Sequence, residues 1–421
     1  MEPKPGDKVK ISTVKEVIEG ILLESPDAGL YLVKLNSGYN IGIKKEDVTN
    51  IEAVKGKDEK IKREIKEIKQ KKNLLNIDLI ITGGTISSRL DPETGAVSWL
   101  TKPEELLKFY PELMEIVNVR KLKIPFMKAS ENMDYLDWKE IAKNCEESLN
   151  DKEVEGVIIT HGTDFLHYTS AALSFFLQDL NKPVVLTYAQ RSSDRASSDA
   201  SLNLQCAAYA AISDIAEVMI VGHASINDDF CYALLGSKVR KLHSSRRDAF
   251  KPVNIKPIAK IFPDGKIEKI TSYKIRNNNR KVILDDKFND KIALIKFYPG
   301  MDAEIFDFLG RYEGIVIEVA ALGHVAIDEA RKNLLPGIKK AIDNGLIVCA
   351  APQTIYGRLN PLVYSPGRKL MKTGVIFLED MLAETAYVKL GWVLGHTAWK
   401  TKIKEKMLEN VAGEINKRLE E

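Results

Sequence analysis

Residues 82–88 read Thr-Gly-Gly-Thr-Ile-Ser-Ser and follow directly on the apolar run Leu79-Ile80-Ile81. Two glycines remove the Cβ barrier to tight or left-handed backbone, so a strand can turn sharply where it ends. Such a turn presents the hydroxyls of Thr85, Ser87 and Ser88 near the carboxyl end of the strand, where open α/β sheets bind their ligands. A second stretch has the same form: residues 156–160 (GVIIT) run into His161-Gly162-Thr163-Asp164, which adds a carboxylate. A third, VRKLHSSRRDAF at 239–250, offers Lys241 after a loop.

A threonine hydroxyl is a poor nucleophile at neutral pH and needs a base or a proton-accepting network. A lysine takes up that proton where burial and neighbours weaken its own hold on one, or where it relays through a hydroxyl. Thr163, Asp164 and Lys241 could form that relay, with Thr85 or Thr163 attacking. Backbone N–H groups at Gly84 and at Gly162 or Thr163 would then hold an oxyanion, because glycine permits close approach. Each piece also has an ordinary explanation. The first is a Gly-Gly turn with solvated hydroxyls, Thr163-Asp164 is an N-cap for the next helix, and Lys241 is a surface charge.

Positioning these groups requires strands that end together. From about Leu74 the pattern is strand, turn, helix, repeated: strand-like runs at 79–81, 156–160, 183–188 and 218–222, with helical stretches at 103–117, 137–149, 169–180 and 201–213 between them. A second set has strands at 292–297, 314–319 and 346–350, with helices at 326–333, 338–344 and 379–390. The alternation predicts an α/β fold of doubly wound, mostly parallel sheets in two units, 74–270 and 291–421, joined by the polar stretch 262–290. Ahead of them, residues 1–53 hold short β-like runs at 9–12, 19–24, 30–35 and 39–43, with Asn36-Ser37-Gly38 as a hairpin, which predicts a small β-barrel of SH3-like kind. Residues 54–73, crowded with Lys and Glu and carrying Ile61, Ile65 and Ile68 at helical spacing, read as a charged linker helix.

Composition narrows the chemistry. The 421 residues suffice for two or three cores, and 44% hydrophobic with 29% charged content is that of an ordinary globular chain. A net charge of +3 implies no strongly basic field. Cys145, Cys206, Cys231 and Cys349 form no CxxC pair, and the six histidines show no HxxxH or HExxH spacing, so neither a metal site nor a disulfide framework is expected. The charged N-terminus lacks an apolar leader core and the apolar runs are of strand length, so the expectation is a cytoplasmic protein with no membrane contact. No GxxxxGK[ST] motif is present, which leaves any ATP-dependent step to a partner.

Together, TGGTI after one strand, HGTD after another and the lysine of VRKLHSS resemble the signature of the asparaginase/glutaminase family, over about Asp78 to Leu394. The resemblance implies Thr85 as nucleophile and Thr163, Asp164 and Lys241 as the proton-transfer set. It implies that Ser130 and Glu131, in KASENMD, hold the α-carboxylate and α-amino groups of the substrate with help from Asp164, beside Gly84 and Gly162, and that the chain forms a homodimer. The blocks at 187–204, 238–250 and 130–133, with the barrel in front, resemble in particular the branch of this family that serves archaeal glutamyl-tRNA(Gln) amidotransferases. That branch implies a glutaminase component of a carbon–nitrogen ligase, hydrolysing glutamine to supply ammonia. It also implies a partner, the E subunit of the amidotransferase, that uses ATP and Mg to amidate Glu-tRNA(Gln), with no cofactor in this chain. A stand-alone cytoplasmic L-asparaginase and a catalytically silent RNA-docking scaffold are the alternatives.

Three departures from the family pattern stand out. The lid after Thr85 (87–98) has no tyrosine, the aligned position falling near Ala96; Ser87 and Ser88 would serve the closure of that lid. Glu131 stands where many members carry glutamine. The asparagine that members contribute to a neighbouring protomer is replaced near Gly323-His324.

Overall fold

The computed structural model describes residues 3–23, 25, 27–35, 40–54, 71–90, 97–99, 110–192 and 197–419. The hairpin residues 36–38, most of the linker helix read at 54–73, and Ala96 lie outside them.

The first unit is a five-stranded antiparallel sheet, ordered Asn40–Lys44, Leu30–Leu35, Val17–Leu23, Lys8–Thr13, Val48–Ala53. Period-two alternation sets its face: in Lys8–Thr13 the side chains of Val9 and Ile11 are fully buried while Lys8 is exposed. With Leu22, Val33 and Ile43 they make one small core. Gly20 is required where the strands press closest, since a Cβ there would lie 2.2 Å from the Lys34 carbonyl oxygen. The fifth strand carries no apolar alternation in the sequence because none of its residues is fully buried.

The body begins at Asn76–Ile81. Its larger sheet runs Ile267–Lys269, Ala259–Ile261, Cys231–Leu235, Val218–His223, Val184–Thr187, Val157–Thr160, Asn76–Ile81, Asn118–Lys123. The five strands from Val218–His223 to Asn118–Lys123 are mutually parallel. Val157–Thr160 and Val184–Thr187 are buried at every residue, as strands covered on both faces must be. The register matters for function: Thr160 pairs with Ile81 and with Thr187, so the TGGT and HGTD turns leave adjacent strands at the same edge. The smaller sheet, Ile292–Lys296, Gly314–Val319, Ile347–Pro352, Ile376–Phe377, is parallel throughout.

The two α/β units share one core. Helix Leu166–Phe176 packs on helix Ala383–Leu394, and a single apolar cluster joins Ile80, Ile159 and Phe175 to Val316, Cys349 and Trp392. Between the units the Lys238 ammonium, fully buried, lies 2.5 Å from the equally buried Asp380 carboxylate and 2.8 Å from the Asp380 carbonyl oxygen. Ser237 adds two bonds across the same seam, donating to the Ala412 carbonyl from its hydroxyl and accepting from the Thr385 hydroxyl at its carbonyl.

Several elements differ from the sequence reading. Residues 326–333 form turns, not a helix: Asp328 sits at φ 49°, which a right-handed helix excludes. Helix Ser365–Lys372 is an addition, its polar, proline-containing start hiding it in the sequence. Of the helix read at 103–117, the described part is Leu113–Ile116. The stretch 262–290 is more than a connection, since Ile267–Lys269 closes one edge of the larger sheet and Ile283–Leu284 pairs with Leu177–Gln178. Among the described residues no helix is long and apolar enough to cross a membrane.

Candidate active site

The TGGT turn is built by two glycines in left-handed conformations, Gly83 at φ 122° and Gly84 at φ 82°. A Cβ on Gly83 would lie 2.4 Å from the Lys128 carbonyl oxygen, and one on Gly84 would lie 2.5 Å from the Gly162 nitrogen. Neither position tolerates a side chain. Gly162 in turn approaches Ser130, whose side chain a Cβ at 162 would meet at 3.2 Å. Three loops of separate sequence origin, TGGT, HGTD and SEN, are therefore in direct contact.

Thr85 opens a short 3-10 turn, Thr85–Ser87, and is half-buried. Among the described residues its hydroxyl has no hydrogen-bond partner, and the backbone N–H groups of Gly84, Thr85, Gly162 and Thr163 donate to no acceptor. An uncommitted hydroxyl beside uncommitted N–H donors is what an acyl-transfer site needs. Ser87 and Ser88 have another place than the lid role expected of them. Both are buried: the Ser88 hydroxyl donates to the Gly84 carbonyl at 2.8 Å, and the Ser87 hydroxyl lies 3.4 Å from that of Thr160, so both anchor the turn.

The relay geometry is preassembled. Lys241 ends the strand Val239–Lys241, and its Nζ donates to Thr163 Oγ1 and to Asp164 Oδ1, each at 2.8 Å. The lysine side chain is only 8% exposed, so it is no surface charge. The N-cap explanation for Thr163-Asp164 fails as well. Phe165 occupies the cap position of helix Leu166–Phe176, and no side chain caps it. Ser130 is buried, and its hydroxyl accepts from the Phe165 N–H at 3.2 Å, which holds the SEN turn against HGTD. Glu131 beside it is exposed and lines a cavity of about 430 Å³ with Ser130 and Phe165.

His161 carries no signal in the sequence, yet it shapes the site. Its Nδ1 lies 2.7 Å from the Gly162 carbonyl, which can only accept, so Nδ1 carries the proton and Nε2 accepts from the Thr169 hydroxyl at 2.9 Å. The ring thus pins the Gly162 peptide. Burial pushes its pKa down to about 4, and burial, with the nearby Arg240 and Lys241 cations, pushes that of His167 down to about 3. Both rings are neutral near pH 7. Because these folded values lie below the ordinary histidine value of 6.5, the stability tied to the neutral rings is complete above about pH 6.5 and is lost as pH falls toward the folded values. Each ring should contribute a slope of about 1.4 kcal/mol per pH unit. Denaturant unfolding between about pH 6.5 and 5 should therefore show a shallower pH dependence in His161→Asn, by about that amount. Identical slopes would mean that His161 is not held neutral by the fold.

Comparison with known proteins supplies the rest. Family models match three segments: "GatD N-terminal domain" at residues 3–54, "Asparaginase, N-terminal" at 76–274 and "Glutaminase/Asparaginase C-terminal domain" at 291–407. The D subunit of the glutamyl-tRNA(Gln) amidotransferase of Pyrococcus furiosus is 49% identical over 420 residues, covering 97% of this chain and 94% of that protein. Its counterpart in Methanopyrus kandleri is 41% identical over 424 residues, covering 97% and 91%. The chain belongs to the GatD family of glutamyl-tRNA(Gln) amidotransferase subunits. Among solved structures, the thermostable L-asparaginase from Thermococcus kodakarensis matches with a TM-score of 0.73 and 28% identity, covering 81% of this chain and 99% of its own. The share of this GatD-family chain left unmatched is of the size of its N-terminal sheet and the segment after it. Two of the noted departures leave visible marks. Gly323, at φ 114°, makes a tight turn against the Phe377 ring, with the His324 ring edge-on to Tyr364. The second departure, Glu131, offers a carboxylate where an amide is common, a stronger acceptor for an ammonium group.

Proposed function

We propose that this chain is the glutamine-hydrolysing component of a tRNA-dependent amidotransferase, releasing ammonia that a partner uses to convert Glu-tRNA(Gln) to Gln-tRNA(Gln). The observation that carries the reading is the placement of the Lys241 Nζ at 2.8 Å from both Thr163 and Asp164, next to the contact between the Gly84 and Gly162 backbones.

In this reading Ser130 and Glu131 hold the α-carboxylate and α-ammonium of glutamine, with Asp164 assisting. The Thr85 oxygen attacks the carboxamide carbon. Its O–H bond breaks as the C–O bond forms, and the carbonyl electrons move onto an oxygen held by the free N–H groups at Gly84 and Gly162 or Thr163. The proton passes by Thr163 and Lys241 to the leaving nitrogen, which departs as ammonia. Water then hydrolyses the threonyl ester to glutamate. Nothing in these steps calls for a cofactor in this chain; ATP and Mg would act at the partner, the amidotransferase's E subunit, with this chain as a homodimer in the assembly.

Ammonia release from glutamine and from asparagine should be measured on the full chain alone, with its partner, and with partner plus Glu-tRNA(Gln). Glutamine turnover that rises with partner and tRNA is the expected result. Equal, unresponsive turnover of asparagine would instead make the chain a stand-alone asparaginase, and no ammonia under any condition would make it a scaffold. Deleting residues 1–70 sharpens the test. The body should still fold, because its first strand starts at Asn76 and the cap it needs, Asn118 holding the backbone of Lys71 and Leu74, is retained. The stimulation by tRNA should be lost; undiminished stimulation would leave the N-terminal sheet without a part in the reaction.

A further inference from the structure

Beside Lys241 lies a second cavity of about 430 Å³, lined by Asp164, His167, Arg240, Lys241, His243 and Glu384 among others. Glu384 comes from the other α/β unit, from the first turn of helix Ala383–Leu394, and is buried. Its Oε1 lies 2.9 Å from the Arg240 guanidinium, while among the described residues its buried Oε2 has no partner. Burying a carboxylate with one oxygen unpaired costs stability. A second acid of that unit, Glu318 in strand Gly314–Val319, has its pKa pushed up by burial, partly offset by the Lys296 cation and, more weakly, by Arg240. The C-terminal unit thus spends buried acid on the one residue that immediately precedes the relay lysine.

The strand geometry says what that accomplishes. Val239–Lys241 is three residues long and, among the described residues, pairs only with Phe250–Pro252, so a two-stranded ribbon carries the relay. Val239 and Phe250 root the ribbon in the shared core, and Arg240 and Lys241 lie half-buried. Successive side chains on a strand project to opposite sides, so a clamp on Arg240 sets the direction in which Lys241 leaves the backbone. We infer that Glu384, acting through Arg240, is a positioning residue for Lys241: the C-terminal unit, though it touches no reacting atom, holds the relay in register. The inference rests on the proposed role of Lys241.

The groups facing the lysine are Thr163 and Asp164 from the HGTD turn, His167 from helix Leu166–Phe176, Arg240 from its own strand, His243 beyond it and Glu384 from the C-terminal unit.

Glu384→Gln, Arg240→Gln and the double variant should be assayed for ammonia release from glutamine in the full chain assembled with its partner, with Lys241→Met alongside. Each single variant should lose about tenfold or more in kcat with KM held within about twofold, as expected when a reacting group is displaced without loss of substrate contacts. The double should be no worse than the poorer single, since the two residues act as one unit. Full kcat in both singles, a loss confined to KM, or additive losses would each overturn the inference. Should Glu384→Gln fail to fold, Arg240→Gln alone decides, its site being 28% exposed. An active Lys241→Met protein would instead remove the relay reading itself. An inactive one beside fully active clamp variants removes only the clamp.

Discussion

Thr85→Ala should abolish ammonia release from glutamine, a loss of several orders of magnitude in kcat, while leaving the protein folded. The hydroxyl to be removed engages no partner among the described residues, so no buried hydrogen bond is broken. What disappears, in the proposed scheme, is the attacking oxygen, placed by two left-handed glycines next to unengaged N–H donors. The assembled enzyme should still make Gln-tRNA when free ammonia is supplied, because that chemistry belongs to the partner in the proposed scheme. Thr163 is the competing nucleophile, but its hydroxyl is already bonded to Lys241. Trapping the acyl-enzyme with a reactive glutamine analogue and mapping the labelled peptide separates the two. A label on Thr163, or substantial activity in Thr85→Ala, would end the assignment.

Lys241→Met should be nearly as damaging, with kcat falling about a thousandfold, in the range that positioned proton transfer contributes. Methionine keeps the length and apolar stem but leaves Thr163, itself buried, without its donor. Asp164, 62% exposed at its side chain, rehydrates at little cost. Glutamine binding should persist because Ser130 and the Gly162 backbone are untouched, so the loss should fall on kcat and leave KM near its starting value. Turnover close to that of the unsubstituted protein would take Lys241 out of the mechanism.

The groups that meet at the sheet edge are legible in the sequence because each of them breaks a local rule. TGGT and HGTD interrupt apolar runs with glycine and hydroxyls just where a parallel strand must end, and the adjacent register of those strands then follows from their alternation with helices. Lys241 is legible only beside its family context, since a lysine in a polar loop carries no signal of burial. His161 and Glu384 stay hidden for a different reason. One acts through its own neighbour's carbonyl and the other across more than 140 residues of chain, and neither periodicity nor spacing reports such contacts. The helix expected at 326–333 fails at Asp328, whose left-handed backbone no helical pattern in the sequence announces, although aspartate tolerates that conformation. Ser87 and Ser88 read as solvated lid hydroxyls because a serine looks the same in sequence whether it faces water or holds a carbonyl.

The Lys238–Asp380 pair has a bearing on how the body comes apart. Drawing the two α/β units away from each other would break the buried Lys238–Asp380 pair and open their common apolar core in the same step. A half-open body is therefore a poor compromise, worse than either extreme. The body should melt as one cooperative block, with a single calorimetric peak whose enthalpy equals its van't Hoff value, and the N-terminal sheet, with a core of its own, should melt separately.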